Sequence, residues 1–332
     1  MEYRFLGDTG IQISQLCMGT WLFGGETDEE MAEAMFHRCR EVGVNVFDCA
    51  DVYQDGRSEE ILGRLIAHCR DEVVITSKAY FSVGAHVNAA GASRRHLMEA
   101  VEGSLRRLGT DFIDIYFIHH FDAQTPLEET LRALEDLVRQ GKILYPAASN
   151  FAAWQVAKAL GISEGHGWMG FRCIQPMYNL VKRQAEVELL PMARSENLGV
   201  ITYSPLGGGL LTGKYGTLRR PASGRLVEDE TYQVRYGDAW MYDVAERFTE
   251  FAESHGFDPV ALAVAWVGNH PAVTAPIIGA RNLEQLEGSL GAAEIQMTPA
   301  LRAEISALSP TPPPATDRND ERTLGEDEIR QG

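Results

Sequence analysis

The chain has 332 residues, 45% of them hydrophobic and 23% charged, enough apolar content to bury a core and too much for an intrinsically disordered protein. Its 30 Lys and Arg against 47 Asp and Glu leave a net charge of −17, which repels nucleic acid and other phosphate-rich surfaces. No basic-then-apolar segment opens the chain and no apolar run approaches the length of a membrane span, so a cytoplasmic protein with no membrane partner is expected.

Residues 3–6 and 11–14 flank Gly7-Asp8-Thr9-Gly10, a hairpin signal that can plug one end of a larger sheet. Eight short β-branched or aromatic runs follow, at 16–19, 44–49, 73–77, 113–118, 143–148, 173–176, 200–203 and 275–278. The longer stretches between them carry helix signals. Thr27 to Glu30 and Thr125 to Glu128 read as capping boxes, the second with Pro126 at the first helical position. Leu97, Val101, Leu105 and Leu108 share one helical face, and Leu127, Leu131, Leu134 and Val138 another. Strands that alternate with helices form a parallel sheet, and eight of them without a linker predict a closed (β/α)8 TIM barrel with an N-terminal β-hairpin plug.

Residues 207–274 exceed one helix and two tight loops, so a functional loop plus an extra helix is expected between barrel strands 7 and 8. The reading is one domain over 1–308, followed by a Pro-rich and charged tail, 309–332, that cannot bury enough surface to order itself. Five cysteines, an odd number with no Cys-x-x-Cys pair, read as small buried hydrophobes. Gly165 to Gly170 matches the Gly-x-Gly-x-x-Gly fingerprint literally, but a helix precedes it and a strand follows, the reverse of what a dinucleotide turn needs.

In a barrel of this kind the chemistry belongs at the strand C-termini. Those ends carry Asp48, then Tyr53, Lys78, His119-His120, Ser149-Asn150, Gln175 and Tyr203-Ser204. A phenol is a suitable proton donor to a developing alkoxide, a neighbouring ammonium lowers its pKa, and a carboxylate holds that ammonium charged. His119 can hydrogen-bond a carbonyl oxygen from the other side. The set suits carbonyl reduction, for which a nicotinamide must supply the hydride. Adjacent histidines on a strand point to opposite faces and no carboxylate or Cys completes a ligand set, so no metal is expected.

Asp48-Cys49-Ala50-Asp51-Val52-Tyr53, Ile75-Thr76-Ser77-Lys78 and Ile115-Tyr116-Phe117-Ile118-His119 resemble the Asp/Tyr/Lys/His tetrad of the aldo-keto reductases, with the order and spacing of further motifs matching from about Tyr3 to Leu308. Gly19-Thr20-Trp21, Ala148-Ser149-Asn150-Phe151, Gln175-Pro176-Met177-Tyr178, Tyr203 to Tyr215 and Gly279-Ala280-Arg281-Asn282 are most similar to the bacterial oxidoreductase and potassium-channel beta-subunit branch. The resemblance implies that Tyr53 is the general acid, Lys78 and Asp48 its charge relay and His119 the substrate-orienting group. It implies NADPH/NADP+ as cofactor in preference to NADH. Ser149, Asn150 and Gln175 would bind the carboxamide, Tyr203 would stack on the nicotinamide, and Ser204, Leu206 and Gly208 would wrap the pyrophosphate. Lys214 and Arg281, with Gln285 nearby, fall where the family binds the adenosine 2′-phosphate, and Arg225 is a candidate to join them. One departure is Gly288-Ser289, in place of the Glu-Asn pair that often contacts adenine.

Trp21, Tyr80, His120 and Phe121 are expected to line the substrate side of the pocket. The expected partner is a small-molecule carbonyl compound, an aldose or small aldehyde among the possibilities. Two alternatives use the same barrel. Lys78 as a Schiff-base nucleophile would need a desolvated amine rather than one paired with Asp48. A nicotinamide-binding redox sensor would keep every one of these residues and differ only in rate.

Overall fold

Two short strands, β1 (Tyr3–Phe5) and β2 (Gln12–Ser14), pair antiparallel with Arg4 opposite Ile13. The turn between them lets Leu6 and Ile13 point the same way, and both are fully buried against Val46, Val74, Ile115, Phe117, Ala147 and Ile201. The hairpin is thus the apolar floor of the barrel above it. The computed structural model of the protein describes residues 1–316; the charged run expected as a tail lies largely outside the described residues.

The barrel strands are β3 (Cys17–Gly19), β4 (Val46–Asp48), β5 (Val74–Ala79), β6 (Ile113–Ile118), β7 (Ile143–Ser149), β8 (Cys173–Gln175), β9 (Gly199–Thr202) and β10 (Ala275–Ile278). They run parallel in sequence order, and β10 closes the ring onto β3, so the (β/α)8 TIM barrel is the observed fold. Side chains alternate along a strand, so every second residue points inward. Climbing by two from the floor therefore leads from Val46 to Asp48, from Val74 through Thr76 to Lys78, and from Ile115 through Phe117 to His119. The same step leads from Ala147 to Ser149, from Cys173 to Gln175 and from Ile201 to Tyr203. Register keeps these ends level, with Gly19 opposite Asp48, Asp48 opposite Thr76, and Ser149 opposite Gln175.

Outward residues such as Phe47, Ile75, Tyr116 and Ile174 pack under the helices in a second continuous core. The helix Arg94–Leu108 buries Leu97, Val101, Leu105 and Leu108, as its periodicity requires, each such side chain contributing about 2 kcal/mol. Two capping expectations are corrected. The helix Glu29–Glu41 is capped by Asp28, whose carboxylate accepts from the Met31 amide, because Thr27 is drawn inward to a bridge with Phe23. The helix Leu127–Arg139 has Pro126 at its N-cap, and Thr125 donates to Asp122 instead. Between β9 and β10 the chain holds two short helices, Arg225–Glu228 and Glu230–Tyr236, before the longer Ala239–Ser254 and Pro259–Gly268. Gly167 sits in the left-handed region as the C-cap of the helix Ala153–His166, which accounts for the false dinucleotide fingerprint. No helix among the described residues is long and apolar enough to cross a membrane.

Candidate active site

The Lys78 ammonium is fully enclosed at the C-terminal mouth of the barrel. Its three donors find three acceptors: Asp48 Oδ2 at 2.6 Å, the Cys49 carbonyl at 2.7 Å and Tyr53 Oη at 3.2 Å. Burial alone would lower the Lys78 pKa, but the Asp48 charge and the Tyr53 oxygen outweigh it and raise it above the ordinary lysine value. The amine is therefore held as a cation. Asp48, 2% exposed, also accepts from Thr76 Oγ1 at 2.6 Å and Gln175 Nε2 at 2.8 Å. Each donor stabilises the carboxylate form, which is how a buried charge is tolerated.

Tyr53 is delivered by a strained turn. It opens the 3₁₀ segment Tyr53–Gly56, in which Gln54 and Asp55 both adopt left-handed backbone angles, φ 50° and 54°. Such conformations cost on the order of 1 kcal/mol or more and persist when the surroundings over-determine them. Here Gln54 Nε2 donates to the Trp21 carbonyl at 2.9 Å, and the Asp51 amide donates to the Lys78 carbonyl at 3.1 Å. Burial pushes the Tyr53 phenol above its ordinary value, and the Lys78 charge offsets only part of this. The expectation of a lowered phenol is corrected: the ammonium pulls in the expected direction, but desolvation of the phenolate is the larger effect.

The His119 ring stands edge-on to Tyr53, with centroids 6.0 Å apart, and edge-on to Phe81 at 5.0 Å. Burial, reinforced by the Lys78 and His120 charges, holds its pKa well below the ordinary histidine range, so the ring is neutral near pH 7. Tyr80 packs on His120 at 5.2 Å, extending an aromatic wall out of the mouth. Phe121 does not join this wall; its ring packs on Phe151 and Trp154. Across the mouth, Trp21 is 38% exposed and carries the Arg225 guanidinium 4.5 Å above its ring. Arg225 is accordingly sandwiched between Trp21 and Tyr232.

The residues that the resemblance assigns to a nicotinamide meet beside this cluster. Ser149 Oγ donates to the Gln175 carbonyl at 3.0 Å, Asn150 Nδ2 to the His119 carbonyl at 2.9 Å, and Tyr203 Oη to Asn150 Oδ1 at 2.7 Å. Asn150 and Ser204 both have positive φ, 57° and 58°, so these two loops turn sharply where their strands end. Gly207 and Gly209 amides close turns onto the Ser204 and Leu206 carbonyls. At Gly208, φ 67°, a Cβ would fall 2.6 Å from the Tyr232 ring, so only glycine fits. The backbone here is a glycine-lined cradle of the kind that receives phosphate oxygens. Donors, acceptors, an aromatic ring and this cradle fit a dinucleotide.

Lys214 is exposed just beyond the cradle. Arg281 ends the barrel's last loop, its amide donating to Gln285 Oε1 at 3.1 Å and its Nε 2.7 Å from Glu26 Oε2. Ser289 is buried at 1%, and the half-buried Gly288 stands beside the Val260 side chain. Thr76 and Glu26 are not among the residues the sequence singles out, whereas Phe81 is expected with Tyr80 on the pocket side. Thr76 was accessible to sequence reasoning, since it lies two positions before Lys78 and so shares its inward face. Glu26, in a loop, carries no such signal.

Comparison with known proteins agrees with this architecture. The sequence model of the Aldo/keto reductase family matches residues 15–310. The chain is 36% identical over 329 residues to an "Uncharacterized oxidoreductase YrpG" of Bacillus subtilis (strain 168), covering 94% of this chain and 97% of that one. It is 35% identical over 327 residues to a "Probable voltage-gated potassium channel subunit beta" of Oryza sativa subsp. japonica, covering 96% and 99%. It is 31% identical over 328 residues to "Versiconal hemiacetal acetate reductase" of Aspergillus parasiticus, covering 90% and 94%. The match of family and fold along nearly the whole barrel places the chain in the aldo/keto reductase family.

Proposed function

We propose that this member of the family reduces an aldehyde or ketone to the alcohol, reversibly, with NADPH as the preferred cofactor. The observation that carries the reading is the enclosed Lys78 ammonium that joins Asp48 to Tyr53 Oη at the mouth of the barrel. A bound reduced nicotinamide supplies the hydride, which no side chain can.

Tyr53 holds the proton that passes to the carbonyl oxygen. Its raised pKa keeps the phenol protonated at neutral pH, ready as an acid. As the proton leaves, negative charge develops on Oη, 3.2 Å from a cation that Asp48 and the Cys49 carbonyl keep in place. That attraction is stronger in the transition state than in the ground state, which is the requirement for catalysis. His119, neutral and with Nδ1 buried without a partner, carries its proton best on Nε2, from which it can donate to the same carbonyl oxygen. Ser149, Asn150 and Gln175 orient the carboxamide, Tyr203 offers its ring face, and residues Ser204, Leu206 and Gly208 receive the pyrophosphate. Lys214 and Arg281 provide the charge for a 2′-phosphate, with the neutral Gln285 beside them. Trp21, Tyr80 and His120 line the substrate side, whose mixture of aromatic and polar groups suits an aldose or a small aldehyde.

A Schiff-base role for Lys78 is disfavoured, since a nucleophilic amine must be neutral and this one is held charged by Asp48. A slow redox-sensing subunit is the second reading, supported by the relatives named as potassium channel beta subunits. The test is NADPH consumption with a panel of aldehydes, ketones and aldoses, alongside thermal shifts with NADPH and NADH. Turnover with a member of the panel supports the reductase. Stabilisation by NADPH with no accelerated oxidation means that the substrate lies outside the panel or that the protein is the sensor, and binding of neither nucleotide sinks both readings.

A further inference from the structure

Residues 22–27 form a braced turn: Gly25 and Thr27 amides both donate to the Leu22 carbonyl, and the Gly24 amide donates to the Thr27 carbonyl at 2.8 Å. Phe23 and Thr27 anchor it in the core, at 0% and 1% exposure, which leaves Glu26 directed outward. There its carboxylate meets Arg281, with Oε2 2.7 Å from Nε. Arg281 is fixed from its own side by the Gln285 carboxamide and by Thr27 Oγ1, which donates to the Arg281 carbonyl. Asn282, the next residue, caps the helix Leu283–Leu290 and accepts from the Gln285 amide at 3.0 Å. Arg281 thus stands at a helix N-terminus, where the helix dipole adds to its own preference for an anion. The anion seated there is this chain's own carboxylate.

On the reading that Arg281 receives the 2′-phosphate, we propose that Glu26 is a specificity-determining residue that competes with that phosphate and narrows the preference for NADPH over NADH. A 2′-phosphorylated dinucleotide must displace the carboxylate from the guanidinium or bind beside a like charge. NADH carries no group there and meets no conflict. Both partners are partly exposed, so the ion pair contributes little to folding and can exchange readily. The consequence is a protein that binds the two cofactors with closer affinities than Lys214 and Arg281 alone would produce.

The experiment is titration by calorimetry of NADPH, NADH, adenosine 2′,5′-bisphosphate and 5′-AMP into wild type, Glu26→Gln, Arg281→Gln and the double variant, with thermal melts to show that all four are folded. Glu26→Gln should tighten NADPH and the bisphosphate by about fivefold while NADH and 5′-AMP move by less than about twofold. In the Arg281→Gln background the gain should shrink to less than about twofold, because the guanidinium being competed for is gone and only screened repulsion between exposed charges remains. Unchanged NADPH affinity in Glu26→Gln, or equal tightening of NADH, overturns the proposal while leaving the cofactor reading standing. If wild type binds neither nucleotide, the cofactor reading itself fails and the proposal falls with it.

Discussion

Gln175 Nε2 donates to Asp48 Oδ1 over 2.8 Å, linking two side chains that lie 127 residues apart in the chain. The same amide belongs to the set proposed to hold the nicotinamide, so the carboxylate that holds Lys78 and the proposed cofactor pocket share a hydrogen bond. Gln175→Met should therefore do two things at once. It should weaken NADPH binding and lower kcat about tenfold or more, since a bond to a charged acceptor is worth about 1.5–3 kcal/mol. Separate measurement of the dissociation constant and of kcat checks this, and a change in affinity alone would break the link.

Tyr53→Phe removes the proposed proton donor while keeping the ring. We expect kcat to fall by about 10²–10⁴ with NADPH affinity within about twofold of wild type. The pH profile follows from the same geometry. Burial raises the Tyr53 pKa, so for reduction at saturating cofactor the alkaline limb should lie above about 10, the ordinary phenol value. Burial lowers the His119 pKa, so its protonation should enter only below about 6.5. An inflection between these limits in kcat/KM that persists in an Asp51→Asn variant, where the carboxyl raised to about 8 is absent, would contradict the assignment of Tyr53 or His119.

Asp51 predicts an inverted stability profile. Its carboxyl is 1% exposed, neither oxygen has a hydrogen-bond partner, and burial followed by the Glu59 charge raises its pKa to about 8. Between the unfolded value of about 4 and the folded value, the native state holds a proton that the unfolded state has lost, so this residue's contribution to stability falls as pH rises. Asp51→Asn removes the titration. The variant should be more stable than wild type by at least about 1 kcal/mol near pH 8, with the gap closing toward about pH 5. Urea denaturation across that range measures it, and a variant less stable at the alkaline end would rule out the buried neutral acid.

Behind the Tyr53 turn, Glu59 is fully buried, accepting from Ser77 Oγ at 2.5 Å and paired with Arg107 Nε at 2.7 Å. The Arg107 side chain also fills the space beside Gly56, which ends the turn. Arg107→Met strands the Glu59 carboxylate without a counter-charge and should cost about 3–5 kcal/mol. Adding Glu59→Gln should recover much of the loss, because a neutral amide needs no cation. Denaturant titration of both variants decides it; equal stabilities for the two would show that packing rather than charge is what Arg107 provides.

Strand alternation made much of the site legible. Because side chains repeat every two residues, the sequence alone places Asp48, Lys78, His119, Ser149, Gln175 and Tyr203 one or two steps above apolar residues on the same face, and eight such strands call for a closed ring. The floor hairpin and the rejected glycine fingerprint were likewise decided by local pattern. Helix caps were less legible, since Asp28 and Thr27 both suit the role and only the inward bridge of Thr27 selects between them.

What the tertiary structure alone decided is whatever depends on distances between strands and on the loss of water. The convergence of Thr76, Gln175 and Lys78 on one carboxylate follows from the register and closure of the barrel, which no single stretch encodes. The direction of the Tyr53 shift is a balance between a nearby charge, visible in the sequence, and desolvation, which depends on everything packed around the ring. The meeting of Glu26 with Arg281 joins the first loop of the barrel to its last, and it exists because β10 closes onto β3.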